Sequence, residues 1–147
     1  MAETKALAGD DGGLEVIVVT PLGPVVSTKT AALTAPGELG EFEVFPGHVP
    51  FLTELHEGVL ILGTTDRKYF AVGRGFLEVE PDGTIQVLVE QAISGAEVDT
   101  EAAKADVKET APKLEAWKEA QDGEYKTLRT KHDWAQAMLD AHSLASA

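Results

Sequence analysis

Four side chains near the middle of the chain could do chemistry together: His48, Glu54, His56 and Glu57. Imidazole and carboxylate suit zinc and similar ions. Their separation matches no usual ligand spacing, and alternate residues of a strand point to opposite faces. The spacing therefore predicts no metal, and the histidines read as structural or interface groups. The run GRGFLE at Gly73 lacks the third glycine of a dinucleotide loop and leads into a strand instead of a helix, which makes it a turn. No glycine-rich loop ending in Lys and Ser or Thr occurs, and no serine sits in a nucleophile elbow. Cysteine is absent, which excludes thiolate ligands and disulfides. The expectation is a chain with no catalytic residue and no cofactor.

The elements that position these residues follow from composition and pattern. Acidic residues outnumber basic ones 25 to 12, and a net charge of −13 repels nucleic acid and anionic lipid surfaces. The start, MAETKALAGDDGG, has neither the basic opening nor the apolar stretch of a signal peptide, and no run approaches the length of a membrane span. Direct membrane insertion is not expected. From Leu14 to about Ala92, the runs LEVIVVT, GPVVS, KTAALTA, EFEVF, GVLILG, RKYFAVG, GFLEVE and TIQVLVE predict about eight or nine short strands. Pro21, Gly23, Pro36-Gly37, Pro46-Gly47, Gly63 and Pro81-Asp82-Gly83 supply the turns between them, a spacing that favours an all-β sandwich or barrel. Phe76, Glu78 and Glu80 alternate with Leu77 and Val79, so one face of that strand is solvated and the other buried.

Near Val98 the composition turns to alanine, lysine and glutamate, and strand signals stop. Asp99 is placed to cap a helix whose face carries Ala103, Val107, Thr110, Leu114, Trp117 and Gln121. After an Asp122-Gly123 turn, a second stripe follows: Tyr125, Leu128, His132, Ala135, Leu139 and His142. Two helices folded back on each other are expected. Pro112 lacks an amide hydrogen and crowds the carbonyl of Lys108, at a cost of about 3 kcal/mol in a regular helix, so a kink or break is expected there.

One segment is more specific. Pro36, Gly37, Gly40, Glu41, Phe42, Pro46, Gly47, His48 and Pro50, followed by Leu52, Thr53 and Gly58, closely resemble the epsilon subunits of bacterial F-type ATP synthases, called delta in mitochondria. The likeness continues through Gly73, Gly75, Phe76, Leu77, Glu78 and Val79 and Val87 to Ala92, and covers about Leu14 to Leu144. Glu43 stands where the family usually has glycine, and Arg74 interrupts what is commonly a glycine pair. With no transit peptide visible, the bacterial form is preferred to the mitochondrial one. A free-standing sandwich that binds a small ligand would need an aromatic-lined cleft, and aromatics make up only 6% of the chain.

The resemblance implies an α+β fold: a flexible arm over 1–13, a ten-strand-type β-sandwich over 14–95 and a helical hairpin over 96–147. It also implies a non-catalytic subunit on the cytoplasmic side of the bacterial inner membrane, joining the ring of c subunits to the gamma shaft. Glu41 and Glu43 are the expected ring contacts, facing basic loops of the c subunits. Thr20, His48, Phe51 and Thr53 are the expected gamma contacts. In the family the hairpin lies on the sandwich or extends into the alpha and beta subunits of the catalytic head and blocks rotation. Lys126, Arg129 and Lys131 would there meet an acidic lever, a solvated face being the equal alternative. Some bacterial members bind ATP through Ile/Leu-Asp-x-x-Arg-Ala. Here the run is Val98, Asp99, Thr100, Glu101, Ala102 and Ala103, with alanine in the place of arginine, so no nucleotide site is expected.

Overall fold

The structure, a computed structural model, describes residues 5–6, 13–118 and 123–147. Of the arm expected before Leu14, Lys5–Ala6 form a short strand, β1, that pairs in parallel with Val26 and Ser27; most of the remainder lies outside the described residues. The strands that follow are β2 (Leu14–Thr20), β3 (Gly23–Thr30), β4 (Leu33–Gly37), β5 (Gly40–Val44) and β6 (Phe51–Leu55). Next come β7 (Gly58–Leu62), β8 (Lys68–Val72), β9 (Gly75–Val79), β10 (Ile85–Val89) and β11 (Ala92–Ser94). A 3-10 turn, Gly95–Glu97, leads to α1 (Thr100–Glu115), and α2 (Gly123–Ala145) closes the chain.

Period-two alternation sets the architecture. In β2, Leu14, Val16 and Val18 are buried while Glu15 is exposed; in β10, Ile85, Val87 and Val89 are buried while Leu88 is exposed. The hydrogen-bonded order is β1-β3-β2-β10-β9-β6-β4-β7-β8-β11, with β5 beside β4. β4 and β6 share a single register pair, Gly37 with Leu55, where the sheet folds over. The inward residues of both halves then form one core that includes Val16, Leu33, Leu60, Phe70, Leu77 and Val87. Each such side chain contributes roughly 1.5–3 kcal/mol by leaving water. The result is a β-sandwich closed like a barrel. β6 falls outside the predicted strand runs, although Phe51, Thr53 and Leu55 alternate there with exposed Leu52 and Glu54. The Pro81-Asp82-Gly83 turn is formed: Gly83 has φ +90° and donates to the Glu80 carbonyl at 2.9 Å. Asp82 accepts from the Thr84 amide at 2.9 Å, and that bond holds its carboxyl below the usual range.

Asp99 caps α1, its Oδ1 accepting from the Ala102 amide at 3.1 Å. The break expected at Pro112 does not occur: α1 runs through it and ends at Glu115. The bond Pro112 cannot make is to the Lys108 carbonyl upstream; Glu109 and Thr110, bonded to Lys131 and His132 of α2, hold that stretch helical, and the Pro112 carbonyl accepts from Ala116 at 3.0 Å. The turn residue Asp122 and the stripe residue Gln121 lie outside the described residues.

The two predicted stripes meet. Ala103, Thr110 and Ala135 are buried, and the Thr110 hydroxyl donates to the Asp106 carbonyl at 2.8 Å. With that hydrogen committed, His132 donates through Nδ1 to Thr110 Oγ1, at 2.8 Å. α2 has a second packed face. Ala137 and Ala141, flanked by Trp134 and Met138, lie on Ala71, Val59 and Ile93 of β8, β7 and β11. Small side chains on both surfaces let helix and sheet approach closely.

Candidate docking surfaces

The outer face of β6, β9, β10 and β2 carries large apolar groups where the alternation calls for polar ones. Leu52 is 64% exposed, Phe76 47% and Leu88 45%. Phe76 pairs with Leu88 across β9 and β10, and Leu88 with Val19 across β10 and β2. A cleft of about 530 Å³ opens beside them, lined by Val19, Thr20, Phe76 and Leu88, with Glu54 and Arg74 at its polar rim. Leu22, at the tip of the β2–β3 turn, is fully exposed near its end.

The expected gamma contacts distribute unevenly around this face. Thr20 is buried in the β2–β3 turn, where its hydroxyl donates to the Gly23 carbonyl at 3.3 Å and accepts from the Leu22 amide at 3.2 Å. Phe51 and Thr53 share the inward side of β6 with Leu55, and Phe51 meets the edge of Phe42 at 6.0 Å between ring centres. His48 is exposed on the loop before β6, its Nδ1 2.8 Å from the Val49 carbonyl and its ring 4.8 Å from that of Phe51. Glu41 and Glu43 are exposed on one face of β5, opposite Pro36 and Thr34 of β4. The hairpin they belong to ends in Glu38 and the fully exposed Leu39.

On the helices, Lys131 bridges to α1, 3.2 Å from Glu109 and 3.8 Å from Asp106. Its hydrogen bond and charge, helped by Lys113, hold the Glu109 carboxyl below the usual range. Arg129 is tied along α2 to Asp133 at 3.3 Å. Lys126 lines a basic cleft with Arg74 and Arg129.

His56, Glu57 and Asp133 come together where α2 meets the sandwich, with ligand-type atoms within 4.8 Å of one another. Sequence spacing missed this group because Asp133 is remote in the chain. Arg74 lies 3.1 Å from Glu57 and Arg129 3.3 Å from Asp133, so both carboxylates already serve guanidinium groups. The group is an ionic junction between two elements.

Residues 13–95 match the family described as ATP synthase, Delta/Epsilon chain, beta-sandwich domain. The ATP synthase epsilon chain of Magnetococcus marinus is 37% identical over 129 residues, covering 87% of this chain and 93% of that relative. The epsilon chain of Citrifermentans bemidjiense is 46% identical over 93 residues, or 63% of this chain and 67% of its own length. Among solved structures, a chain of the Euglena gracilis mitochondrial ATP synthase covers 100% of this chain and 91% of its own length, with TM-score 0.72 at 17% identity. That likeness concerns the fold, whereas the sequence matches carry the relationship. Sandwich, hairpin and sequence agree, and the chain belongs to the ATP synthase delta/epsilon family.

Proposed function

We propose that the chain is a non-catalytic rotor subunit of a bacterial F-type ATP synthase that couples the c-ring to the gamma subunit. The observation that carries this reading is the apolar strip Leu52, Phe76 and Leu88 on a rigid sandwich, a surface that suits permanent burial against the gamma subunit. A hydrogen-bonded shell around a close-packed core transmits torque with little shear. Two polar groups of the adjoining cleft are committed to structure: Thr20 closes its own turn and Arg74 holds Glu57. That supports a coupling role in place of chemistry. Glu41 and Glu43 form an acidic flank suited to basic loops of the ring.

In this reading the protein sits peripherally on the cytoplasmic side of the inner membrane. Among the described residues no helix is long and apolar enough to cross a membrane. The hairpin restrains ATP hydrolysis when it leaves the sandwich and reaches the alpha and beta subunits. Co-purification with gamma and c subunits tests the coupling role, and absence of both from the complex contradicts it. Hydrolysis by the assembled enzyme with and without residues 98–147 tests the restraint, and equal rates contradict that part.

A further inference from the structure

Each carboxylate at the junction of α2 with the sandwich keeps its cation on its own side. Glu57, whose side chain is 1% exposed, accepts from Arg74 Nε at 3.1 and 3.3 Å, and both residues lie in turns of the sandwich. Asp133, 14% exposed, accepts from Arg129 Nε, one turn earlier on α2 itself. His56 spans the two sides, with Nε2 4.0 Å from Asp133 and Nδ1 3.2 Å from the Glu57 carboxylate. The Thr110–His132 and Lys131–Glu109 bonds lie wholly within the hairpin. Lifting the hairpin as a unit therefore breaks no guanidinium–carboxylate pair among the described residues of this junction.

We propose that the junction is a releasable latch in which Arg74 permits docking by neutralising Glu57 beneath α2. The inference rests on the mobile hairpin of the preceding reading. Glu57 immediately precedes β7, and α2 covers that strand through Val59. A carboxylate covered without a cation is strongly unfavourable, whereas one open to water is solvated. Loss of the Arg74 charge thus penalises the docked state and spares the released one. Direct charge repulsion predicts the opposite sign. Arg74 shares a cleft of about 560 Å³ with Lys126 and Arg129, so removing one of three converging cations would by that argument tighten docking.

The chain has no cysteine, so Thr65→Cys and Ser143→Cys, both at exposed positions, place one spin label on the sandwich and one on α2 of the full chain. Pulsed dipolar spectroscopy then gives the released-to-docked ratio. Arg74→Gln is expected to raise that ratio at least tenfold. Glu57→Gln alone, and Glu57→Gln added to Arg74→Gln, are expected to stay within threefold of the parent. An unchanged or lowered ratio for Arg74→Gln overturns the latch, as does failure of the double variant to recover. Gly95→Ala, which crowds α2 directly, separates the two levels. Release in Gly95→Ala without release in Arg74→Gln sinks only the latch, while no release in either sinks hairpin mobility itself.

Discussion

Replacing Gly95 by alanine drives a methyl group into α2. A Cβ at that position would lie 2.5 Å from the carbonyl oxygen of Ala141, 2.8 Å from its carbonyl carbon and 3.1 Å from Cβ of Ala145. Two of these atoms belong to helix backbone and cannot rotate away, so the end of α2 must move. Overpacking of this kind costs about 1–3 kcal/mol. Movement also strains the bond from His142 Nδ1 to the Gly95 carbonyl, 3.0 Å long, whose loss costs about 0.5–1.5 kcal/mol. The sum, about 1.5–4.5 kcal/mol, corresponds to roughly a 12- to 1,600-fold shift in the docking equilibrium. The strand core lies elsewhere and should keep its stability. Hydrogen exchange reads both quantities: amides of α2 from Trp134 to Ala145 should exchange faster, while those of Val16, Leu77 and Val87 should hold their protection. Unchanged protection in α2, or an equal loss in the strands, would refute the packing argument.

Three further outcomes follow from other parts of the molecule. Isolated protein should bind ATP weakly or not at all, because Ala102 replaces the arginine of the family motif and one charge-assisted bond is worth about 1.5–3 kcal/mol, or roughly ten- to a hundredfold in affinity; a micromolar dissociation constant by calorimetry contradicts this. Changing Glu41 and Glu43 together to lysine should weaken rotor assembly without lowering the melting temperature, since exposed substitutions usually alter stability by under about 0.5 kcal/mol each; full assembly argues against β5 as a ring contact. Lys131→Met should return the Glu109 carboxyl toward the ordinary glutamate range, followed by NMR titration. That carboxyl is depressed in the folded chain, so any stability it adds is present above the unfolded pKa and fades as pH falls through the folded one. An unchanged titration would remove Lys131 as the cause.

Legibility in the sequence tracked the strength of local patterns. The strands with branched residues on one face and the cap at Asp99 could be read directly, because period and side-chain chemistry agree there. β6 was missed because its inward residues, Phe51, Thr53 and Leu55, share the strand with exposed Leu52, which blurs the alternation. Of the stripe from Tyr125 to His142, Tyr125 and His132 meet Trp117 and Thr110 of the first stripe, whereas His142 reaches the Gly95 carbonyl instead. The second face of α2 stayed hidden because Ala137 and Ala141 have weak hydropathy, and their value lies in close approach to Ala71. The break expected at Pro112 is absent although its cost falls upstream, on the Lys108 carbonyl; the bonds from Glu109 and Thr110 to α2 hold the chain helical just before it. The apolar strip reads in sequence as part of a solvated face, since Phe76 alternates in phase with Glu78 and Glu80. Only the register that places Leu88 and Val19 beside it reveals an apolar surface.

The most direct test of the coupling account is the affinity of the full chain for gamma when Phe76 and Leu88 are both changed to aspartate. Each side chain is about half exposed, so its burial against a partner is worth about 1 kcal/mol, and a carboxylate forced into that contact adds a larger desolvation cost. Both positions point out of the sheet, and circular dichroism of the isolated variant should match the parent. Binding to gamma measured by surface plasmon resonance should then weaken at least a hundredfold. A folded double variant that binds gamma with parental affinity would contradict the account.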